Sequence, residues 1–248
     1  VEVYLFMGLL ESGKTTMLMD ALKSPDFRDD GPTLVIACEE GEVEYPPEFL
    51  EASDATLVRL EEESELTTER LMAFDAAHHP HQVMMEYNGT WGVDKILDLA
   101  LPRGWQVYGV YATVNGETAE LYLNNMRAMF MEPLFPASLI IFNRCGEDLD
   151  RKKFRRNIKA INPRAQIVFE REDGVEIEET EEDLPFEWKG DRVEIDDIDY
   201  GIWYVDAMEH PERYEGKTIR FLAQVYRAPH LGRKAFVPGR FVMTCCAN

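Results

Sequence analysis

The stretch Gly8-Leu9-Leu10-Glu11-Ser12-Gly13-Lys14-Thr15 satisfies the phosphate-loop pattern G-x-x-x-x-G-K-[ST], and its reading decides the fold. Before it lies Val1 to Phe6, apolar except for Glu2, as suits a parallel strand buried on both faces. After it, Thr16 to Leu22 reads as a helix with Leu18, Ala21 and Leu22 on one face. Strand, glycine loop and helix thus follow in the order that polyphosphate binding requires. Gly8 and Gly13 let the backbone bend closely round a phosphate, and successive N–H groups form a nest at the helix N-terminus. Lys14 can reach the β- and γ-phosphates, and the Thr15 hydroxyl can hold Mg²⁺. The candidate nucleotide contacts are therefore Gly8, Glu11, Ser12, Gly13, Lys14, Thr15 and Thr16, with Lys14 and Thr15 also the central catalytic candidates. A loop that holds nucleotide without turning it over is the alternative.

Outward from this loop the pattern alternates. Strands are expected at Thr33 to Ala37, Thr56 to Leu60, Gln82 to Met85, Gln106 to Ala112, Leu139 to Phe142 and Gln166 to Phe169. Between them, helices are expected at Glu61 to Ala77, Val93 to Ala100, Glu117 to Phe130 (Leu121 and Met129 inward) and Leu149 to Ala160. The segment from Cys38 to Pro47 reads as an acidic loop without helical periodicity. Strands separated by helices imply right-handed crossovers. Residues 1–169 are therefore expected to form an α/β, three-layer nucleotide-binding domain on a mainly parallel sheet. Residues 170–199 hold fifteen Asp or Glu against Arg171, Lys189 and Arg192, a net −12, and read as an acidic linker or edge segment. Alternation around Val175-Glu176-Ile177 and Val193-Glu194-Ile195 allows short antiparallel strands. Residues 200–248 read as a small, incomplete β-rich unit, with alternation at Thr218 to Tyr226 and Ala235 to Met243 that fits the start of an OB-like barrel.

Composition narrows the function classes. With 47 acidic against 26 basic residues in 248, the net charge is −21, which excludes a general nucleic-acid binder and disfavours an anionic membrane surface. The basic run Arg151 to Lys159 carries Phe154, Ile158 and Ile161 on its inward face, and its charge complements the acidic 170–199 stretch. At 45% apolar residues the chain can bury a core. Cys38, Cys145, Cys245 and Cys246 are too few and too oddly spaced for a disulfide framework, and no apolar run is long enough to span a membrane. These features favour a cytoplasmic address, although the chain lacks an initiator Met and stops inside an apparent strand.

Several motifs then fall into the order of a known group. Glu40-Gly41-Glu42-Val43-Glu44 resembles an N-x-x-G-E-V segment, and Glu86-Tyr87-Asn88-Gly89 resembles E-x-[ST]-G. Asn143-Arg144-Cys145 occupies the place of N-K-x-D, and Ile161-Asn162-Pro163-Arg164-Ala165 that of an L-N-P-x-A turn. Over about residues 1–170 the chain resembles the CobW/HypB/UreG group of P-loop GTPases and metallochaperones, nearest its CobW-like branch. The resemblance implies GTP or GDP as ligand and Mg²⁺ near Thr15, Glu86 and Glu42. It also implies a Gly89 amide facing the γ-phosphate and Asn143 and Arg144 at the base. Tyr214 to Val225 and Arg240 to Ala247 resemble the YcgQ family, found with a predicted permease, which implies transport-linked or metal-homeostasis work.

The chain departs from that pattern at three places. Glu61-Glu62-Glu63-Ser64-Glu65, read as an acidic helix start, stands where the branch carries C-x-C-C, so the usual soft metal-transfer site is absent there. Gly146 takes the place of the guanine-reading Asp, with Glu147 and Asp148 following, so ATP stays an alternative. Asn88 replaces a hydroxyl residue, and no residue is an obvious general base. In an extended strand Cys245 and Cys246 would point to opposite faces, so either a transition metal such as Zn²⁺ takes a single ligand from the pair or the two are structural, buried residues. His78-His79-Pro80-His81 is a second candidate, or a solvated turn. The reading is a Mg²⁺-dependent nucleoside triphosphatase acting as a conformational switch. Its expected partners are a purine nucleotide, a metal-handling client and a permease-linked protein, with oligomerisation open. The rival is a non-enzymatic nucleotide-sensing scaffold.

Overall fold

The structure, a computed structural model, describes residues 1–27, 31–177, 184–227 and 236–239. The chain divides into two compact units, Val1–Asp150 with Arg164–Glu178, and Arg151–Pro163 with Glu179–Asn248.

The first unit is built on seven strands: β1 (Glu2–Met7), β2 (Thr33–Ala37), β3 (Ala55–Arg59), β4 (Gln82–Glu86), β5 (Gln106–Asn115), β6 (Leu139–Asn143) and β7 (Gln166–Phe169). They form one parallel sheet in the order β3-β2-β4-β1-β5-β6-β7. Flanking it are α1 (Lys14–Lys23), α2 (Pro47–Ala52), α3 (Thr68–His78), α4 (Val93–Leu97), α5 (Gly116–Asn125) and α6 (Arg127–Met131). Strand order explains the burial. The central strands β1, β2 and β4 are covered on both faces and are buried almost throughout, whereas β3 at the edge is only partly buried. From β1 the chain moves to one side of the sheet and from β4 to the other, so the crevice of this topology opens beyond the C-terminal end of β1. Leu18, Ala21 and Leu22 of α1 pack with Tyr4, Phe6, Val35, Ala37, Tyr45 and Met84, and Phe49 and Leu50 of α2 join the same cluster.

Several helices differ from the sequence expectation. The run from Glu61 is not a helix start: Glu65 folds back to accept the amides of Glu61 (2.7 Å) and Glu62 (3.1 Å), closing a short 3₁₀ turn. Those backbone hydrogen bonds hold the Glu65 carboxyl below its usual pKa. Helix α3 then begins at Thr68, with the Thr67 hydroxyl accepting the Arg70 amide, and it buries Leu71 and Phe74. The expected helix from Glu117 to Phe130 breaks at Met126 into α5 and α6. Leu121 is exposed because Gly116, Ala119 and Leu123 form the inner face. A Cβ on Gly116 would lie 2.9 Å from the Asn143 carbonyl, which sets that rotation. Within the acidic loop, Pro47 starts α2 instead of preventing it, since its missing amide costs nothing at a first helical position.

The second unit contains α7 (Arg151–Ile161), β8 (Arg192–Glu194), α8 (Tyr200–Glu209), β9 (Thr218–Arg220), β10 (Gln224–Tyr226) and β11 (Val237–Gly239). The basic helix α7 therefore groups with this unit, not with the nucleotide-binding domain to which residues 1–169 were assigned. Its Arg156 guanidinium meets the Asp196 carboxylate at 2.6 Å, the contact that links this helix to the acidic stretch. Phe186, Val193, Ile195, Tyr200 and Tyr214 form a core, packed by Leu184, Trp188, Trp203, Ile219 and Phe221. Residues expected to lie in a linker thus supply core side chains. The expected antiparallel pairing around Val193 is corrected: β8 runs parallel to β9, because α8 connects them and a helical crossover permits that direction. Glu176 makes only an isolated antiparallel bridge to Glu170. Helix α8 opens the unit that was expected to be β-rich, its Tyr200, Trp203 and Ala207 being spaced for one helical face. Strands β10 and β11 pair antiparallel. Among the described residues, no helix is long and apolar enough to cross a membrane.

Helix α1 is held by apolar contact, so Leu18→Ala should lower unfolding stability by about 2–5 kcal/mol in urea denaturation. A loss below 1 kcal/mol would contradict the seating of α1 on this core.

Candidate functional site

The candidate site forms where β1 runs out. Gly8 (φ +138°), Glu11 (φ +59°) and Gly13 (φ +99°) all take left-handed backbone conformations, which wrap the loop around the Lys14 side chain. The Lys14 ammonium donates to the carbonyls of Gly8 (3.0 Å) and Leu9 (2.9 Å) and to the Glu39 carboxylate. Lys14 is 3% exposed. Helix α1 starts directly after Gly13, whose backbone supplies no side-chain cap, and its first turn contains no acidic residue. The positive end of the helix is therefore left open to an anion.

Neighbouring strands brace the loop. The hydroxyls of Ser12 and Thr113 lie 2.8 Å apart, both buried. Asn143 at the end of β6 donates from Nδ2 to the Ser12 carbonyl at 2.7 Å. Arg144, itself at φ +51°, donates from Nη2 to the Glu11 carbonyl at 2.6 Å and from Nε to the Asn143 side chain. Gly89 packs on the loop so closely that a Cβ would lie 2.3 Å from the Gly8 carbonyl oxygen. Of the residues expected in the site, Gly8, Ser12, Gly13, Lys14, Gly89, Asn143 and Arg144 thus converge on one loop. Thr16 sits exposed in the first turn of α1.

On the other side of Lys14 lies a cleft lined by Thr15, Glu39, Glu40, Gly41, Val43, Glu44, Tyr45, Arg59 and Glu86. Glu86 is 4% exposed, and each carboxylate oxygen accepts a hydroxyl: Thr15 Oγ1 at 2.8 Å on Oε1, and the Tyr45 hydroxyl on Oε2. Burial, reinforced by the Glu86 charge, pushes the Tyr45 hydroxyl far above its ordinary range, so it stays a donor. Thr15 and Glu86 are hard oxygen donors set side by side, a set that suits Mg²⁺.

The acidic loop is arranged differently from the expectation. Glu42 is exposed and lies outside the cleft lining; its amide donates to Glu11 Oε1 at 3.0 Å. The carboxylate that reaches the phosphate loop is Glu39, and the hydroxyl that reaches Glu86 is Tyr45. Sequence reasoning passed over both. The available signal was position: Cys38 ends the buried run of β2, so Glu39 is the first side chain past the sheet edge, on the loop side.

The metal candidates are dispersed. Cys38 is buried, and its thiol is pushed up by burial and by Glu86 and Glu39. The buried Cys145 thiol donates to the Phe142 carbonyl. His79 ends α3 in a left-handed conformation, and the His81 ring packs against Gly31. All three histidines of that turn precede β4, at the end of the parallel sheet opposite the phosphate loop. Among the described residues, no three His, Cys, Asp or Glu side chains are grouped to hold a metal ion. Cys245 and Cys246 lie outside the described residues.

Residues 172–248 match the DUF1980 C-terminal domain, a span that includes the acidic segment as well as the aromatic one. A Zn(II)-bound triple mutant of the YjiA GTPase is similar in structure at a TM-score of 0.51 and 21% identity, covering 68% of this chain and 57% of that one. The Zn(II)-bound YjiA GTPase from E. coli gives 0.50 and 20%, covering 67% and 56%. The hydrogenase maturation factor HypB from Archaeoglobus fulgidus gives 0.47 and 18%, covering 68% and 80%. No curated protein matches the chain significantly. The YjiA likeness shows a shared fold, the parallel α/β sheet with its phosphate loop at the end of β1. In this chain that fold is followed by the residues that match the DUF1980 C-terminal domain.

One substitution and one labelling measurement probe this arrangement. Gly89→Ala should destabilise the protein by about 1–3 kcal/mol, since the added methyl meets backbone that cannot step aside; wild-type stability would refute the close approach. In the native protein Cys38 should react with iodoacetamide at least ~100-fold more slowly than in denaturant, as read by peptide mass mapping. Equal rates would show the thiol to be accessible.

Proposed function

We propose that this protein is a Mg²⁺-dependent nucleoside triphosphatase, with GTP as the first candidate substrate, whose nucleotide state sets the conformation of the acidic loop. The observation that carries the reading is the buried Lys14 ammonium enclosed by a left-handed phosphate loop at the end of the central strand. The open N-terminus of α1 and the Lys14 ammonium would bind and orient the phosphates, while the Gly89 backbone closes the loop from the β4 side. Thr15 and Glu86 would hold Mg²⁺, which when bound neutralises charge on the transferring phosphoryl group. Glu42 is not assigned that role, given its exposed position. With no general base evident, these residues act by positioning and charge compensation, so turnover is expected to be slow.

GTP is placed before ATP by the motif resemblance, with Asp148 as the carboxylate beside the expected base-reading position. A Cβ at Gly146 would lie 2.7 Å from Asp148 Oδ1, so the Asp148 carboxylate fills the space of the side chain that Gly146 lacks. Asn143 and Arg144 beside it tie this loop to the phosphate loop. A role in metal homeostasis, a metal-handling client and a permease-linked partner rest on the motif resemblance, together with the Zn(II) carried by the YjiA structures. Because this chain spans 57% and 56% of those structures, the activity of a whole YjiA protein comes to it only as a proposal. A cytoplasmic address belongs to the same reading.

Titration with GTP, GDP, ATP and ADP, with and without Mg²⁺, tests the proposal. GTP is expected to bind with Mg²⁺ and to release phosphate, and Lys14→Ala should lose both properties. Thr15→Ala should chiefly weaken the Mg²⁺ dependence. Binding without phosphate release would favour a nucleotide-sensing scaffold instead. Unchanged binding and rate in Lys14→Ala would sink the site assignment.

A further inference from the structure

We propose that Glu39 is a built-in phosphate surrogate, occupying the Lys14 ammonium in the empty site so that only a polyphosphate able to displace it gains entry. The proposal rests on the nucleotide-binding reading and concerns what sets affinity and ligand class at that site. An ammonium has three N–H donors. Those of Lys14 are taken by the Gly8 and Leu9 carbonyls and the Glu39 carboxylate. The two carbonyls are neutral and belong to the loop itself. Glu39 is the charged acceptor, comes from a different segment, and is buried with its partner at side-chain exposures of 8% and 2%. A phosphate oxygen can reach this ammonium only where Glu39 now sits.

The segment that carries Glu39 is fastened further by the Arg59–Glu40 ion pair (3.9 Å) and at two points to groups that the ligand or its cation would use. The Glu42 amide holds Glu11 of the phosphate loop, and the Tyr45 hydroxyl holds Glu86. The residue before Glu39 is anchored differently. The Cys38 amide donates to the Glu86 carbonyl at 2.9 Å, and its own carbonyl accepts Asn88 Nδ2 at 3.1 Å. Displacement of Glu39 therefore leaves Cys38 in the sheet and frees the exposed stretch Glu40 to Glu44, which ends at the buried Tyr45.

Electrostatics make the two occupants exclusive. The cleft already gathers Glu39, Glu40, Glu44 and Glu86 beside Arg59. A polyphosphate added with Glu39 still in place would set two anions on one ammonium in a water-poor site. A tethered carboxylate also competes at a high effective concentration, so inorganic phosphate is a poor challenger. A nucleoside triphosphate that brings Mg²⁺ supplies enough contacts to win. Entry of the nucleotide is thereby coupled to release of residues 39–44.

The test compares wild type with Glu39→Gln, using the full chain, Mg²⁺ and three probes: GTP, pyrophosphate and inorganic phosphate. Removing the competitor should tighten GTP and pyrophosphate binding by about tenfold or more and make inorganic phosphate binding measurable. Limited proteolysis should cut residues 39–44 of wild type faster with GTP than without. Glu39→Gln should be cut fast even without nucleotide. Tyr45→Phe, which unfastens the same segment without touching Lys14, should also speed cleavage of the empty protein. Equal or weaker GTP binding in Glu39→Gln overturns the proposal, the weaker outcome making Glu39 a helper of the ligand. If that variant fails to fold, wild-type cleavage unchanged by GTP overturns it. Absence of nucleotide binding in both folded proteins ends the nucleotide reading itself. GTP bound equally by both ends only the surrogate.

Discussion

A single ammonium group organises this molecule. Removing the Lys14 charge from water is costly unless each of its protons finds an acceptor. Two of the three acceptors are carbonyls of the loop that carries it, in which Gly8 and Gly13 adopt left-handed conformations. Glu11 shares that conformation without being glycine, and it is held there by Arg144 on its carbonyl and by the Glu42 amide on its carboxylate. The ends of β4, β5 and β6 then close on the loop through Gly89, Thr113 and Asn143. The phosphate loop is thus braced from three strands, while its fourth support, Glu39, comes from the one segment that also lines the acidic cleft.

How much of this could be read from the residues follows from how local each cause is. The strands were legible because a parallel sheet covered on both faces demands runs such as Thr33 to Ala37 that are apolar without alternation, and all seven appear in the structure. The loop was legible because its glycines, lysine and hydroxyl are needed at fixed spacing. What failed to show was decided by contacts distant in sequence. Leu121 looked like a core residue by period, yet the packing of Gly116 against the end of β6 turned α5 and left it outside. In the run Glu39-Glu40-Gly41-Glu42-Val43-Glu44 the residue types are nearly interchangeable, and only the height of each above the sheet edge determines which carboxylate meets Lys14.

The second unit shows the same limit in another form. Strands β9 and β10 form within the expected alternation, but Tyr200, Trp203 and Ala207 share a helical face that groups with Val193 and Tyr214. Charge density hid this core. The acidic surroundings of Phe186 and Val193 suggested solvated chain, whereas their side chains are buried. Asp206 answers Arg213 and the Tyr214 hydroxyl at once, so part of the local charge is internal pairing.

The bare beginning of α1 has a thermodynamic consequence. Most helices satisfy their first amides with a serine, threonine or aspartate of their own; this one, beginning after Gly13, does not. Any anion that settles there becomes the missing cap, and its free energy of association is added to that of folding. By mass action, each tenfold rise in ligand above its dissociation constant adds about 1.4 kcal/mol of resistance to unfolding. The persistence of the folded chain would then follow the supply of its ligand.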